Sequence, residues 1–274
     1  DSQGDVDAMA QFRAAAIQMR SGLSVEANTD EAVRLIRAAA AEGADYALTP
    51  EMTTLLSLDR PSLLAAISPE ETDPSLARFR ELARELGIHV HIGSMPILLG
   101  EASVANRSFL IDPDGAILAH YDKIHMFDVD LAGGESYRES QLYRPGDTAV
   151  TADLPWTRLG LSICYDVRFP ILYHALAING AAVLAIPAAF TRTTGEAHWH
   201  VLIRSRAIET GSFVIAAAQG GHHEDGRDTY GHSMIVDPWG KIVAEAGTEP
   251  GVILADIDTS ASATARQRIP ALAN

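Results

Sequence analysis

The stretch GLSICYDVRFP, residues 160–170, passes from an apolar run through a cysteine to a proline. Leu159 to Ile163 has the length and composition of a buried strand. Pro170 suits the first turn of a helix, expected from about Ile171 to Asn179 with Gly180 as its stop. A strand that yields to a helix within a few residues lifts the junction side chain out of the sheet and aims backbone N–H groups in front of it. Cys164 stands at that junction. A cysteine on an apolar strand is by default inert core. Its position here makes it a candidate nucleophile, and the adjacent helix is expected to favour its thiolate.

Outward from this unit, strands and helices alternate. Phe12 to Met19 reads as a strand, Ala27 to Ala41 as a helix ending at Gly43, and Tyr46 to Leu48 as a strand running into Thr49-Pro50-Glu51. Asp73-Pro74 opens a helix with Leu76, Phe79, Leu82 and Leu86 on one face, and His89 to Ser94 follows as a strand. Ser108–Ile111 and Ala116–Ala119 flank the turn Asp112-Pro-Asp-Gly115; Ser233–Val236 and Lys241–Ala244 flank Asp237-Pro-Trp-Gly240. Ala182 to Ile186 and Phe213 to Ala218 read as strands, with a helix over Ala197 to Glu209 between them. The pattern is α/β and layered. No repeat is evident beyond the two turns. One domain over residues 9–274 is expected, with residues 1–8 as an extension ahead of Met9.

Composition limits the partners. The 274 residues are 47% hydrophobic and 21% charged, ordinary globular usage. Lysine and arginine total 21 against 36 acidic residues, a formal charge of -15. That balance argues against nucleic acid and anionic membrane surfaces as partners. A single cysteine excludes an intrachain disulfide and a multi-cysteine zinc site, and fits a reducing, cytoplasmic setting. No apolar run approaches the roughly 20 residues that span a bilayer.

A thiol nucleophile needs a base. Glu51 follows an apolar strand, at the kind of carboxyl end where open α/β sheets gather their sites. Lys123, within YDKIHMFDVD (residues 121–130), is a cation set among apolar residues and must find anionic partners; Glu139 is one candidate.

Four ordered motifs, TPEM at 49–52, YDKIHMFDVD at 121–130, RES at 138–140 and GLSICYDVRFP at 160–170, resemble those of the nitrilase superfamily of carbon–nitrogen hydrolases. The likeness runs from about Phe12 to Pro270. IPAAFT (186–191), GEAHWHVLIRSRAIET (195–210), AAAQGGHH (216–223) and TYGHSMIVDPWG (229–240) are similar to the Nit amidase branch. The chain ends at Asn274, where relatives generally continue a few residues further. The resemblance implies a four-layer α-β-β-α sandwich that pairs into homodimers or larger assemblies. It implies an amidase acting on a small-molecule linear amide, deaminated glutathione or a similar omega-amide of a 2-oxo acid. In that scheme Glu51 is the general base, Cys164 forms a thioester, Lys123 and the Tyr165 backbone N–H hold the oxyanion, and Glu139 positions Lys123. No metal and no organic cofactor are implied.

Other residues have weaker claims. Arg168 is a candidate for gripping a substrate carboxylate, or else a structural partner of Asp166. Phe190, Thr191, His198 and Trp199 are candidates for the pocket lining. Ten histidines invite a metal reading, but His198 and His200 fall on different helix faces and His222-His223 lie in a loop, so none is expected. Competing functions are hydrolysis of an N-carbamoyl amino acid or a nitrile, and an inactive Nit-like scaffold.

Overall fold

The computed structural model describes residues 11–100, 102–131 and 134–273, so the expected extension at 1–8 lies outside the described residues. The first half comprises β1 (Gln11–Gln18), α1 (Val25–Ala41), β2 (Tyr46–Leu48), α2 (Arg60–Ala66), α3 (Pro74–Leu86), β3 (His89–Leu98), β4 (Val104–Ile111) and β5 (Ile117–Asp122). A hairpin of β6 (Asp128–Asp130) and β7 (Ser136–Arg138) follows. The second half contains β8 (Thr151–Asp153), β9 (Arg158–Leu161), α4 (Pro170–Ile178), β10 (Val183–Ala185), α5 (His200–Thr210) and β11 (Phe213–Ala216). It closes with the hairpin β12 (Gly220–His222) and β13 (Asp228–Tyr230), then β14 (Met234–Val236), β15 (Ile242–Glu245), β16 (Gly251–Asp258) and α6 (Ser260–Arg268).

Two six-stranded sheets result, ordered β16-β1-β2-β3-β4-β5 and β15-β14-β11-β10-β9-β8. Each has three parallel strands at its centre and antiparallel strands outside them. The halves follow one plan: β3-β4-β5 matches β11-β14-β15 in order and direction. The two Asp-Pro-x-Gly turns are the visible trace of it. Asp112 Oδ1 accepts from the Asp114 and Ala116 N–H groups, and Asp237 Oδ1 accepts from Trp239 and Lys241, with Gly115 at φ 77° and Gly240 at φ 83°. The duplication is one of strand order; in the sequence it shows only at the two turns.

The period-2 alternation of β1 explains the layering. Phe12, Ala14 and Ala16 pack towards the second sheet with Leu161, Val214 and Ile235. Ala15 and Ile17 face the other way, against Leu35 and Ile36 of α1 and Phe79 and Leu82 of α3. Leu172 and Leu176 of α4 and Ile203 and Ala207 of α5 cover the far face of the second sheet. The chain is therefore a four-layer α-β-β-α sandwich. Helix starts obey local chemistry: the Asp73 carboxylate caps α3 by accepting from the Leu76 N–H at 2.9 Å. Helix α5 begins at His200 rather than near Ala197, because Gly195–Trp199 forms a π-helical turn.

Candidate active site

The carboxyl ends of β2, β9 and β10 converge where the two sheets face each other, and a close approach at Gly93 brings them together. A Cβ on Gly93 would lie 2.0 Å from the Thr49 carbonyl oxygen and 2.4 Å from Pro187, so only glycine fits. The turn after β2 is tied to β3 by the Ser94 N–H donating to the Pro50 carbonyl at 3.2 Å and the Met52 N–H donating to Ser94 Oγ at 3.0 Å. Met52 accepts the left-handed φ of 56° that this turn requires. Glu51 is thereby turned inward and buried.

Cys164 heads a five-residue 3-10 turn, Cys164–Arg168, at a left-handed φ of 48°. Such a value in a non-glycine residue persists only when its surroundings overdetermine it. The Cys164 N–H donates to the Pro187 carbonyl at 2.8 Å. Asp166, fully buried, accepts from the Ile163 N–H (2.9 Å), Tyr121 Oη (2.7 Å), the His125 N–H (3.1 Å) and His125 Nδ1 (2.7 Å). This carboxylate holds the start of the turn and joins it to the segment that delivers Lys123. Its role had no signal beyond lying two residues after the cysteine. The expected alternative, an Asp166–Arg168 pair, does not form.

Lys123 directly follows β5, and its ammonium is buried between two carboxylates. Nζ lies 2.9 Å from Glu51 Oε1, and 2.9 and 2.8 Å from the two oxygens of Glu139. Asn106 on β4 donates through Nδ2 to Glu51 Oε1 at 2.9 Å and to Glu139 Oε1 at 3.2 Å. Backbone groups complete the set: the Ala189 N–H donates to Glu51 Oε2 at 2.9 Å and the Phe127 N–H to Glu139 Oε2 at 2.7 Å. Asn106 escaped sequence reading because an asparagine within a strand carries no motif.

Burial alone would push the Glu51 carboxyl up, but Lys123, Cys164 and Asn106 outweigh it and hold Glu51 below the usual carboxylate range. Burial would likewise lower Lys123, yet Glu139 and Glu51 raise it well above its ordinary value. Glu139 is raised by burial and by Glu51, against the pull of Lys123. For Cys164, burial and the Glu51 charge push the thiol well up despite Lys123. This corrects the expectation of a helix-favoured thiolate: a turn of five residues offers little dipole, and burial, reinforced by the neighbouring carboxylate, outweighs it. The resting arrangement is a neutral thiol beside an ionised base.

These groups form the floor of a cleft of about 700 Å³, counting the space at its open mouth. Its walls include Phe127, Tyr137 and Tyr143 together with Tyr165, Phe190 and Thr191. Phe190 and Thr191 are thus among its lining residues. Trp199 is not: it is fully buried, and its Nε1 donates to the His232 carbonyl at 2.9 Å. His198 is exposed and meets Arg168 Nη1 at 3.2 Å. Arg168 lies behind the wall, its guanidinium 5.2 Å from the Phe190 ring centre and 5.9 Å from that of Tyr165. The arginines at the cleft are Arg138 and Arg227. Arg138 is spent on Asp130 in a bidentate pair and on two backbone carbonyls. Arg227 holds Asp225 through Nε and Nη2. Its surroundings, Asp-Gly-Arg-Asp, read in sequence as an ordinary polar turn.

Comparison with known proteins agrees with this architecture. The family model for carbon-nitrogen hydrolases matches residues 13–267. The chain is 42% identical over 233 residues to a deaminated glutathione amidase from Yersinia enterocolitica, covering 84% of this chain and 81% of that one. It is 37% identical over 264 residues to omega-amidase NIT2 of Homo sapiens, covering 96% and 94%. Among solved structures, the C. elegans NitFhit protein superposes with a TM-score of 0.90 at 36% identity, covering 97% of this chain and 65% of that longer one.

Proposed function

The chain belongs to the carbon-nitrogen hydrolase family, and we propose that it is an amidase cleaving a small linear carboxamide through a thioester on Cys164. The substrate class we infer is an omega-amide of a 2-oxo acid, deaminated glutathione or a close analogue. One observation carries this reading: Glu51 and Lys123, paired at 2.9 Å, stand with the Cys164 thiol at the floor of one cleft.

Catalysis follows from that arrangement. As Cys164 Sγ attacks the amide carbon, Glu51 takes the thiol proton, so charge passes to the carbonyl oxygen and no free thiolate need accumulate. The oxyanion is held by Lys123 and by the Tyr165 N–H, one of the first N–H groups of a helical turn that lack an intrahelical acceptor. Glu51 returns the proton to the departing nitrogen, the C–N bond breaks, and ammonia leaves a thioester. Water then enters, gives its proton to Glu51 and attacks the thioester carbon; collapse releases the acid and the proton goes back to sulfur. Glu139, bound to both Lys123 and Asn106, positions the ammonium. Arg227, which lines the cleft with Nη1 outside its pair with Asp225, supplies that nitrogen to a substrate carboxylate.

A homodimer is part of this reading. Ile171 and Ile178 on α4 and Val201 and Ile208 on α5 are exposed at seven-residue spacing, and Trp239 lies nearby in the β14–β15 turn. Such a cluster on an outer layer is of the kind that a second subunit covers. A cytoplasmic location fits a reaction that requires the thiol reduced. No helix among the described residues is long and apolar enough to cross a membrane.

The test is ammonia release from a panel holding deaminated glutathione, 2-oxoglutaramate, N-carbamoyl amino acids and nitriles. Turnover concentrated on the omega-amides supports the proposal. Preference for carbamoyl compounds or nitriles refutes the substrate class.

A further inference from the structure

Outside the cleft, residues far apart in sequence bring metal-binding atoms together. His200 is the first residue of α5, His232 lies between β13 and β14, and Glu245 ends β15. His200 Nε2 is 2.7 Å and His232 Nδ1 is 3.2 Å from the same oxygen, Glu245 Oε1, and the three ligand atoms lie within 4.8 Å of one another. Ligands of a tetrahedral Zn2+, at bond lengths of about 2.0–2.1 Å, are about 3.3 Å apart. Small rotamer shifts therefore suffice to place all three around one ion.

A surface ion pair would need less than the fold supplies here. His232 sits at a left-handed φ of 53°. Glycine would adopt that backbone without steric cost, whereas a histidine there is strained. The strain is held from both sides: the His232 N–H donates to the Gly247 carbonyl at 2.8 Å, and its carbonyl accepts from buried Trp199 Nε1 at 2.9 Å. Its ring is further stacked on Tyr230, centroids 4.3 Å apart. Tyr230 in turn is packed against Gly195, where a Cβ would come within 2.3 Å of it. The fold thus fixes one imidazole rigidly over the carboxylate, and the helix start presents the other.

We propose that His200, His232 and Glu245 form a binding site for a transition-metal ion of the Zn2+ class, with water completing its coordination. Two imidazoles and one carboxylate suit Zn2+, Co2+ or Ni2+, whereas Mg2+ and Ca2+ prefer oxygen ligands throughout. The ion would clamp α5, the β13–β14 segment and β15. Because the Tyr230 N–H donates to the Phe190 carbonyl at 2.9 Å, the clamp would reach the wall of the cleft.

The test uses the full chain carrying Cys164→Ala, which removes the competing thiol and keeps the outcome independent of amidase activity. After chelator treatment, Co2+ is titrated by visible absorption and Zn2+ by thermal denaturation, with Mg2+ as the control. The proposal expects a saturable tetrahedral Co2+ band and a midpoint raised by roughly 5–10 °C at a hundredfold excess of Zn2+ over its dissociation constant. Both responses should vanish in Glu245→Gln, which keeps hydrogen-bonding capacity without charge, and in His232→Asn, since asparagine tolerates the left-handed backbone. The proposal is overturned by an absent or non-saturable band, by a Zn2+ shift equal in Glu245→Gln and its parent, or by an equal response to Mg2+.

Discussion

Replacing Lys123 by methionine removes a buried cation that touches both Glu51 and Glu139, at 2.8–2.9 Å. Two buried carboxylates then face each other with only the Asn106 amide between them, and one must take a proton. Breaking a buried pair by removing one partner costs about 3–5 kcal/mol. At 2–4 °C per kcal/mol for a chain of this size, the thermal midpoint should fall by roughly 6–20 °C. Loss of an oxyanion donor should lower kcat by about 100- to 1000-fold as well. The decisive comparison is the double variant Lys123→Met/Glu139→Gln, measured by urea unfolding and ammonia release. Deleting the second charge should return much of the lost stability and none of the activity. A single variant as stable as the parent, or a double variant less stable than the single, would refute the electrostatic account.

Titration of the thiol supplies another check: ultraviolet thiolate absorbance, wild type minus Cys164→Ala, should appear only well above the ordinary thiol range, and a plateau near neutral pH would contradict it. Since Glu51 is held below its ordinary value, the acid limb of kcat/KM should lie below the usual carboxylate range. The sign for stability is the same: the depressed Glu51 contribution is present above its unfolded value and is lost as pH falls through the folded one. Asp166→Asn should cost about 2–4 kcal/mol, because an amide N–H must face a donor wherever it turns. Activity should fall with it although Asp166 touches no substrate; unchanged unfolding would count against its role in the turn. Arg227→Met should raise KM for amides bearing a carboxylate and leave neutral amides unaffected, whereas an equal rise for both would remove Arg227 from recognition.

The sequence made legible whatever depends on local period and motif. Tyr46–Leu48 and the strand into Cys164 were readable as short apolar runs with a proline a few residues beyond. Glu51, Lys123, Glu139 and Cys164 were readable as members of quoted motifs. What escaped were features that exist only after the chain has closed on itself. Short edge strands such as β8, and the long β16 with its half-buried residues, lack a clean alternation. Asn106, Arg227 and the buried Asp166 network became visible only when β4, the β12–β13 hairpin and the loop after β5 were brought to one place. The direction of the thiol shift likewise depended on burial and on the nearness of a carboxylate, which no spacing along the chain encodes. Arg168 shows the converse error: proximity in sequence to the nucleophile did not place it in the cleft.

The central claim is that Cys164, and no other group, carries the acyl intermediate. Wild-type chain mixed briefly with 2-oxoglutaramate, quenched in acid and digested, should give the Cys164 peptide a mass gain equal to substrate minus ammonia. Glu51→Gln should slow both formation and loss of that adduct, and Cys164→Ala should show none. An unmodified Cys164 peptide during steady ammonia release, or an acyl group on another residue, would contradict the account.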